Sequence, residues 1–272
     1  MKTLSEYSKM DMKAAARFKL RKLRRRIFPK LIANYKTVRR FVKNKSGIEI
    51  GGPSQAFNDI IKIYGVAKQV DGCNFSTQTI WEGNIQDGQP FKYKGKELGK
   101  QYINDATDLN KIPDGKYDFL ISSHCLEHVA NPIKALKEWN RVLKDGGLMV
   151  LVLPNPEFTF DHKRKKTDFQ HVLEDFKNHT TEDDQTHVQD VIDNCDLTRV
   201  YVLNGKRGET IDFETHVRMA KDNPNLRTLH HHVYSDELVF EMLKSSGFKL
   251  TRSEHFPPFH MIYLALKKAV LQ

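Results

Sequence analysis

The fold is decided by the stretch Gly47-Ile48-Glu49-Ile50-Gly51-Gly52-Pro53-Ser54. A short apolar run is followed by a glycine turn and then by a residue that can begin a helix. Glycines let the backbone approach a ligand closely, and the N-terminus of a helix offers free N–H groups. The stretch therefore predicts a buried strand that ends in a ligand-binding turn.

Short apolar runs and helical stretches alternate from this point onward. We predict strands at 47–50, 66–70, 101–104, 117–122, 148–153, 248–253 and 260–266. The helix after the fourth strand has Asn131 as its cap, Pro132 in its first turn and Gly146-Gly147 at its end. A further helix is predicted over 235–246. This alternation is typical of an α/β protein with a mostly parallel sheet and helices on both faces, and the polar interval 154–234 predicts an insertion after the fifth strand.

Composition limits the class of protein. A chain of 272 residues with 39% hydrophobic side chains can bury one substantial core. The sequence contains no apolar run of the roughly 20 residues that span a bilayer and no signal-peptide pattern, so a cytoplasmic protein is expected. Its three cysteines, Cys73, Cys125 and Cys195, are widely separated, which argues against a disulfide framework or a cysteine zinc site.

The net charge of +10 is unevenly distributed. Residues 1–45 contain 16 Lys and Arg but only two acidic residues, and residues 46–272 are net −4. We therefore divide the chain into a basic helical extension, 1–45, and a catalytic domain, 46–272, in which 154–234 form an acceptor-binding insertion.

Within the extension, Ala16, Leu20, Leu23 and Ile27 recur at helical spacing among basic residues. A second basic helix is predicted to run to about residue 45. Such a cationic amphipathic helix suits an anionic membrane surface, where each basic residue contributes about 1 kcal/mol. Docking of its apolar stripe on the domain and contact with RNA are the alternatives.

Two acids follow predicted strands at informative positions. Asp71 ends the second strand, 20 residues beyond Gly51, where a carboxylate can accept hydrogen bonds from ribose hydroxyls. Asp105, just past the third strand, can accept from an adenine amino group while Ala106 donates its backbone N–H. A turn or a helix cap is the alternative at each position. Ligands of open α/β sheets bind at these strand ends, which favours a cofactor site.

Three further stretches complete a pattern. They are Asp105-Ala106-Thr107-Asp108-Leu109, Tyr117-Asp118-Phe119-Leu120-Ile121-Ser122-Ser123-His124-Cys125-Leu126-Glu127-His128 and Lys137-Glu138-Trp139-Asn140-Arg141-Val142-Leu143-Lys144-Asp145-Gly146-Gly147. Together with the glycine turn they resemble the central signature of the class I S-adenosylmethionine-dependent methyltransferases, over about 46–153 and weakly over 234–266. The resemblance implies a Rossmann-like sheet of seven strands with the last one antiparallel. The fingerprint G-x-G-x-x-G of a nicotinamide cofactor site is absent.

The resemblance also implies which residues bind the cofactor: Glu49, Gly51, Gly52, Pro53, Ser54, Asp71, Asp105, Ala106, Ser123 and His124. Glu49 is expected to organise the turn and the methionine amino group. Ser123 and His124 are expected to flank the sulfonium. The family's usual third glycine is replaced here by Pro53-Ser54.

The acceptor site is sought among the histidines, since eight of the 12 lie within 154–232. Methyl transfer to a hydroxyl needs alignment and a base that removes the proton. We predict Asp161, His162 and His231 as catalytic residues, and His128, Arg164, His187, His230 and His232 as acceptor contacts. Solvated loops or packing are the alternative roles. A divalent metal is a competing explanation for these histidines, but no ligand spacing is diagnostic and no metal ligand is assigned.

The Gly-Gly-Pro-Ser turn, Phe160-Asp161-His162 and His230-His231-His232 together are similar to bacterial methyltransferases associated with surface-polysaccharide synthesis. This narrower resemblance implies O-methylation of a sugar or glycan-related hydroxyl, with the basic extension on the inner face of the membrane. The alternatives are an RNA methyltransferase, a small-molecule natural-product methyltransferase and a non-catalytic scaffold. The net acidic domain and the lack of an RNA-binding aromatic motif argue against RNA.

Overall fold

The structure, a computed structural model, describes residues 31–199 and 211–269. Its strands are β1 (Ser46–Ile50), β2 (Gln69–Asn74), β3 (Gln78–Thr79), β4 (Gly83–Asn84), β5 (Pro90–Tyr93), β6 (Lys96–Ile103), β7 (Tyr117–Ser123), β8 (Leu143–Pro154), β9 (Phe248–Phe256) and β10 (His260–Lys267). Its helices are α1 (Tyr35–Val42), α2 (Gln55–Asp59), α3 (Pro132–Val142), α4 (Phe169–Lys177), α5 (Val188–Asn194), α6 (Phe213–Lys221), α7 (Asn223–Leu226) and α8 (Asp236–Ser245). The helix predicted over 10–28 lies outside the described residues.

Eight strands form one sheet in the order β5-β6-β2-β1-β7-β8-β10-β9. The pairs β1–β2, β1–β7, β2–β6 and β7–β8 are parallel, whereas β10 is antiparallel to both β8 and β9. The α/β, Rossmann-like prediction is confirmed, and all seven predicted strands belong to this sheet. The eighth strand, β5, pairs antiparallel with β6 at the edge. It was not predicted because it is short and begins with Pro90, which cannot donate to a ladder.

Apolar clusters cover both faces of the sheet. On one face, α3 and α8 pack over β7, β8 and β10 in a cluster that includes Trp139 and Leu243, both fully buried. The Asn131 side chain accepts a hydrogen bond from the backbone N–H of Lys134, and Pro132 lies in the first turn of α3. The start of α3 predicted from the sequence is therefore confirmed.

The opposite face packs against α1 and α2. Val38 and Val42 of α1 are fully buried in a cluster with Phe119 of β7, whereas Arg39 and Arg40 are exposed. Residues 31–45, the described part of the basic segment, therefore dock an apolar stripe on the sheet and leave their charges in solvent. Within the described residues, no helix has the length and apolarity needed to cross a bilayer.

The interval between β8 and α8 folds as short helices around a small core of its own, made by Val188, Val191, Ala220 and Leu229. It contains α4, α5, α6 and α7 and ends in the run His230-His231-His232. The described part of this interval, residues 155–199 and 211–235, is called the acceptor segment after its predicted role. It lies over the carboxyl ends of the parallel strands, as the contact of His231 with Glu127 shows.

Candidate active site

A cavity of about 250 Å³ lies at the carboxyl ends of β1, β2, β6 and β7. It is lined by Ile50, Gly51, Pro53, Ser54, Cys73, Asn74, Phe75, Trp81, Glu82, Asn104, Asp105, Ala106, Ser123, His124, Cys125, His128, Val129 and Arg227. Apolar and aromatic side chains alternate with a few polar groups, which is the composition typical of a small-molecule site.

The glycine turn forms one wall of the cavity. Gly51 has a φ of +78°, and a Cβ at this position would lie 2.6 Å from the sulfur of Cys125. Glycine meets both requirements because it lacks a Cβ and tolerates positive φ. The turn places Pro53 and Ser54 against the cavity, and Ser54 directly precedes α2.

Glu49 lies buried beneath this turn. The Tyr64 hydroxyl donates a hydrogen bond to Oε2 of Glu49 and accepts one from the backbone N–H of Ser54 at 2.8 Å. Burial raises the pKa of Glu49 to about 8, although the hydrogen bonds from Ser54 and Tyr64 oppose the shift. Its other oxygen, Oε1, is buried and has no partner among the described residues. The glutamate therefore organises the turn and retains one free acceptor.

Asp71 is placed differently from its predicted role. Its carboxylate accepts hydrogen bonds from the Tyr117 hydroxyl at 2.7 Å and from the backbone N–H of Lys100 at 2.9 Å, and it does not line the cavity. The physical reason is that β2 continues three residues beyond Asp71, so that Asn74 ends the strand at the cavity. The acid that lines the cavity near this point is Glu82. Burial raises the pKa of Glu82 to about 7.

Asp105 and Ala106 line the cavity at the end of β6. One Asp105 oxygen accepts hydrogen bonds from the backbone N–H and hydroxyl of Thr107, and the other forms an ion pair with Arg227 at 3.1 Å. The Asx-turn considered from the sequence is thus present. Next to it, Oδ1 of Asn104 is buried and lacks a partner among the described residues. Asn104 was missed because an amide at a strand end carries no motif of its own.

Ser123 and His124 line the cavity at the end of β7. Nε2 of His124 lies 2.9 Å from Nδ1 of His260, a residue at the start of β10 that the sequence did not indicate. Burial, followed by the neighbouring His260 and His230, lowers the pKa of His124 to about 3. His124 is therefore a neutral imidazole at physiological pH.

The Asp161 carboxylate pairs with His230 and not with the adjacent His162. Its Oδ2 lies 2.6 Å from Nδ1 of His230, and its Oδ1 accepts from Arg164 at 2.8 Å. Burial alone would raise the pKa of Asp161, but His230 and then Arg164 lower it below its usual value. The carboxylate therefore accepts a hydrogen bond from Nδ1 of His230 and fixes the orientation of the imidazole ring.

His230 belongs to a group with Glu127 and His128. One ligand-capable atom of each lies within 4.8 Å of the others, and the rings of His128 and His230 are 4.6 Å apart. His128 lines the cavity, with its Nδ1 3.2 Å from the carbonyl oxygen of Leu229. Both Glu127 oxygens are buried without a partner among the described residues, and burial raises the pKa of Glu127 to about 7. His128 is the member of this group on the cavity wall, and Glu127 and His230 pack against it, which makes this the polar end of the cavity.

The structure places His162 away from the cavity wall. Its Nε2 lies 2.8 Å from Oδ2 of Asp196, and neither residue lines the cavity. Adjacent residues at this bend point in different directions, so proximity in sequence to Asp161 did not produce contact. Arg164 does not line the cavity either: its side chain is buried and bonded to Asp161, Asp190 and the carbonyl oxygen of His230.

The remaining predicted histidines lie behind the cavity instead of on its wall. Nε2 of His231 contacts Asn223 at 3.1 Å, and its backbone N–H donates to the carbonyl oxygen of Glu127. His187 and His232 lie in a separate cluster with His171. The predictions that His231 is catalytic and that His187 and His232 contact the acceptor are not supported by these positions.

The fold and the site together define a Rossmann-like protein whose cavity occupies the ligand position of open α/β sheets. A family model described as a methyltransferase domain matches residues 19–252. The chain belongs to this methyltransferase family. It is an enzyme whose methyl donor is S-adenosylmethionine.

Solved structures give a more distant comparison. The chain is similar to a Methanosarcina mazei S-adenosylmethionine-dependent methyltransferase at 18% identity and a TM-score of 0.48, over 88% of this chain and 99% of that one. An Aquifex aeolicus methyltransferase matches at 12% identity and a TM-score of 0.48, over 87% and 90% of the two chains. A Burkholderia thailandensis 1,6-didemethyltoxoflavin-N1-methyltransferase with bound S-adenosylhomocysteine matches at 9% identity and a TM-score of 0.46, over 99% and 92%. A comparison with curated proteins found no match.

The residues present fit S-adenosylmethionine. The donor contains amino groups on both its methionine and its adenine parts. Asn104 on the cavity wall and Glu49 beneath the glycine turn each have a buried oxygen without a hydrogen-bond partner among the described residues. The apolar wall of Ile50, Cys73 and Ala106 suits a purine ring.

Proposed function

We propose that this methyltransferase O-methylates a hydroxyl of a sugar or glycan-related acceptor, with His230 as the base and Asp161 as its positioning residue. The observation that carries the proposal is the 2.6 Å contact between Asp161 and Nδ1 of His230, whose ring packs 4.6 Å from that of the cavity-lining His128. A carboxylate that holds one ring nitrogen protonated leaves the other as an acceptor for a hydroxyl proton.

The carboxyl ends of four strands would hold the cofactor. Glu49 would receive the methionine amino group, Asn104 the adenine amino group, and Glu82 with Asn74 the ribose, in place of Asp71. Ser123 and His124 would border the sulfonium end. When bound, S-adenosylmethionine supplies an electrophilic methyl group on a positively charged sulfur, so the protein has mainly to align the acceptor and remove its proton.

The polar end of the cavity suits a hydroxyl-rich acceptor. His128 keeps its Nδ1 proton on the Leu229 carbonyl, so its Nε2 accepts a hydrogen bond from a hydroxyl. Burial, followed by the neighbouring His230, lowers the pKa of His128 well below its usual value, which keeps the ring neutral. Glu127 offers two further oxygens without a partner in the described part of the chain. Several hydrogen-bond acceptors side by side match adjacent sugar hydroxyls. Each hydroxyl loses its hydrogen bond to water when the sugar is buried, and a protein acceptor replaces that bond.

The basic extension supports an acceptor carried on a membrane. Besides the charges of residues 1–30, α1 exposes Lys36, Arg39 and Arg40 on the side opposite its buried stripe. We propose that residues 1–45 attach the enzyme to anionic lipid. Vesicles of phosphatidylglycerol should bind the full chain, and a variant in which Lys36, Arg39 and Arg40 are replaced by Gln should bind more weakly. Equal binding of phosphatidylcholine vesicles would refute electrostatic attachment.

The acceptor is tested directly with methyl-labelled S-adenosylmethionine and purified full-length enzyme. We expect transfer to members of a panel of nucleotide sugars or to a glycolipid extract, with the label on oxygen by NMR. Transfer to total tRNA and to no sugar would refute the proposal. Loss of transfer in D161N, with unchanged affinity for S-adenosylhomocysteine and an unchanged melting temperature, would support Asp161 as the residue that positions His230 and would separate it from cofactor binding.

A further inference from the structure

A second histidine cluster lies within the acceptor segment, apart from the cavity. His171 is on α4, His187 directly precedes α5, and His232 ends the histidine run. One ligand-capable atom of each lies within 4.8 Å of the others. Their rings are 4.9 to 5.6 Å apart, and none of the three lines the cavity.

The nitrogens of this cluster are incompletely satisfied. Nε2 of His232 lies 3.2 Å from the carbonyl oxygen of Ala130, which fixes the ring proton there, and Nδ1 is buried without a partner among the described residues. Nε2 of His171 and Nε2 of His187 are within hydrogen-bond distance of each other at 3.0 Å, so one of the two donates to the other. A buried nitrogen that lacks a partner costs about 1–3 kcal/mol, so Nδ1 of His232 calls for a ligand beside this pair.

The spacing fits a metal ion. Zinc binds imidazole nitrogens at about 2.0–2.1 Å in a tetrahedron, which places two ligand atoms about 3.3 Å apart. The 3.0 Å between His171 and His187 is close to this value. Oδ2 of Asp175 is also buried without a partner in the described residues and lies 3.5 Å from Nε2 of His171. Because it lies outside the 4.8 Å group of the three histidines, it would become a fourth ligand through a change of side-chain rotamer.

We propose that His171, His187 and His232, with Asp175, bind a divalent zinc ion. The His171 side chain is 37% exposed, which leaves a path for the ion to enter. The ion connects α4, the start of α5 and the histidine run, and so stabilises the acceptor segment.

The site is tested on full-length enzyme without a histidine tag, stripped with a chelator and titrated with zinc alone. We expect one zinc per chain by elemental analysis, a rise in the melting temperature, and an intense tetrahedral spectrum with cobalt. The variants H187Q and H171Q should each weaken zinc binding by at least about 100-fold. Changing a residue that only orients a metal ligand costs up to about 100-fold, and loss of the ligand itself should cost no less. Two variants are used because misfolding of a single variant could also abolish zinc binding.

The controls separate this site from other histidines. H255Q changes an exposed histidine that pairs with Asp236, and it should bind zinc like the wild type. E127Q alters the group at the cavity and should also bind zinc normally. No zinc binding by the wild type, or loss of zinc in E127Q with retention in H187Q and H171Q, would overturn the proposal. Because zinc binding is read without a methyl acceptor, its failure is distinct from failure of the proposed function.

Discussion

His230 and His162 offer a matched pair for testing the catalytic base. Each imidazole lies against a carboxylate, at 2.6 Å from Asp161 for His230 and at 2.8 Å from Asp196 for His162. They differ in position, because only His230 packs on the cavity-lining His128. Replacing each by Gln removes the same ring and therefore isolates the effect of location.

The expected magnitude follows from the step that is lost. General-base catalysis contributes about 10²–10⁴-fold, or about 2.7–5.4 kcal/mol at 1.36 kcal/mol per tenfold. We expect H230Q to lower kcat/KM by that factor. Partly exposed ion pairs such as His162–Asp196 contribute about 0–1 kcal/mol to stability, so H162Q should keep kcat/KM within about threefold of the wild type.

The assay is the initial rate of label transfer from S-adenosylmethionine to the accepted sugar, with circular dichroism to confirm that both variants fold. Affinity for S-adenosylhomocysteine should be unchanged in H230Q, which separates loss of the base from loss of the cofactor site. If H162Q loses as much activity as is expected of H230Q, or H230Q stays within threefold of the wild type, the assignment of the base is wrong.

Three further predictions concern buried groups. Y64F removes the hydroxyl that donates to Glu49 and should lower the free energy of unfolding by about 1–3 kcal/mol in urea denaturation. E82Q should weaken S-adenosylhomocysteine binding by about tenfold or more in calorimetry, since hydrogen bonds to charged groups contribute about 1.5–3 kcal/mol, whereas D71N should leave the affinity within about threefold. Burial raises the pKa of Glu127 from 4.5 to about 7. The contribution of Glu127 to the free energy of unfolding is therefore fully present below pH 4.5 and is lost as the pH rises through 7. The stability of the wild type relative to E127Q should therefore fall by about 3 kcal/mol over that range, and a difference independent of pH would contradict the argument.

The sheet and the start of α3 could be predicted because their signals are local. The alternation of apolar runs specified seven strands, and Asn131 and Pro132 specified where α3 begins. Gly51 was identified correctly as a turn residue on the cavity wall, since its positive φ and its close approach to Cys125 both require glycine.

The contacts of the site were harder to predict because they depend on register and on distant segments. Asp71 was assigned to the end of a strand from its spacing to the glycine turn. Because β2 extends to Asn74, Asp71 lies within the strand. His162 was chosen because it follows Asp161, whereas the partner of that carboxylate is 69 residues away in His230. No pattern in a single sequence specifies such a pairing.

Arg164 has a consequence for how the acceptor segment folds. Its buried guanidinium bonds to Asp161, to Asp190 and to the carbonyl oxygens of His230 and His231, which come from three separate parts of the chain. A buried charge is tolerated only when its partners are all in place. The segment should therefore form as one cooperative unit, in which partial opening at any of these points exposes the whole segment to hydrogen exchange together.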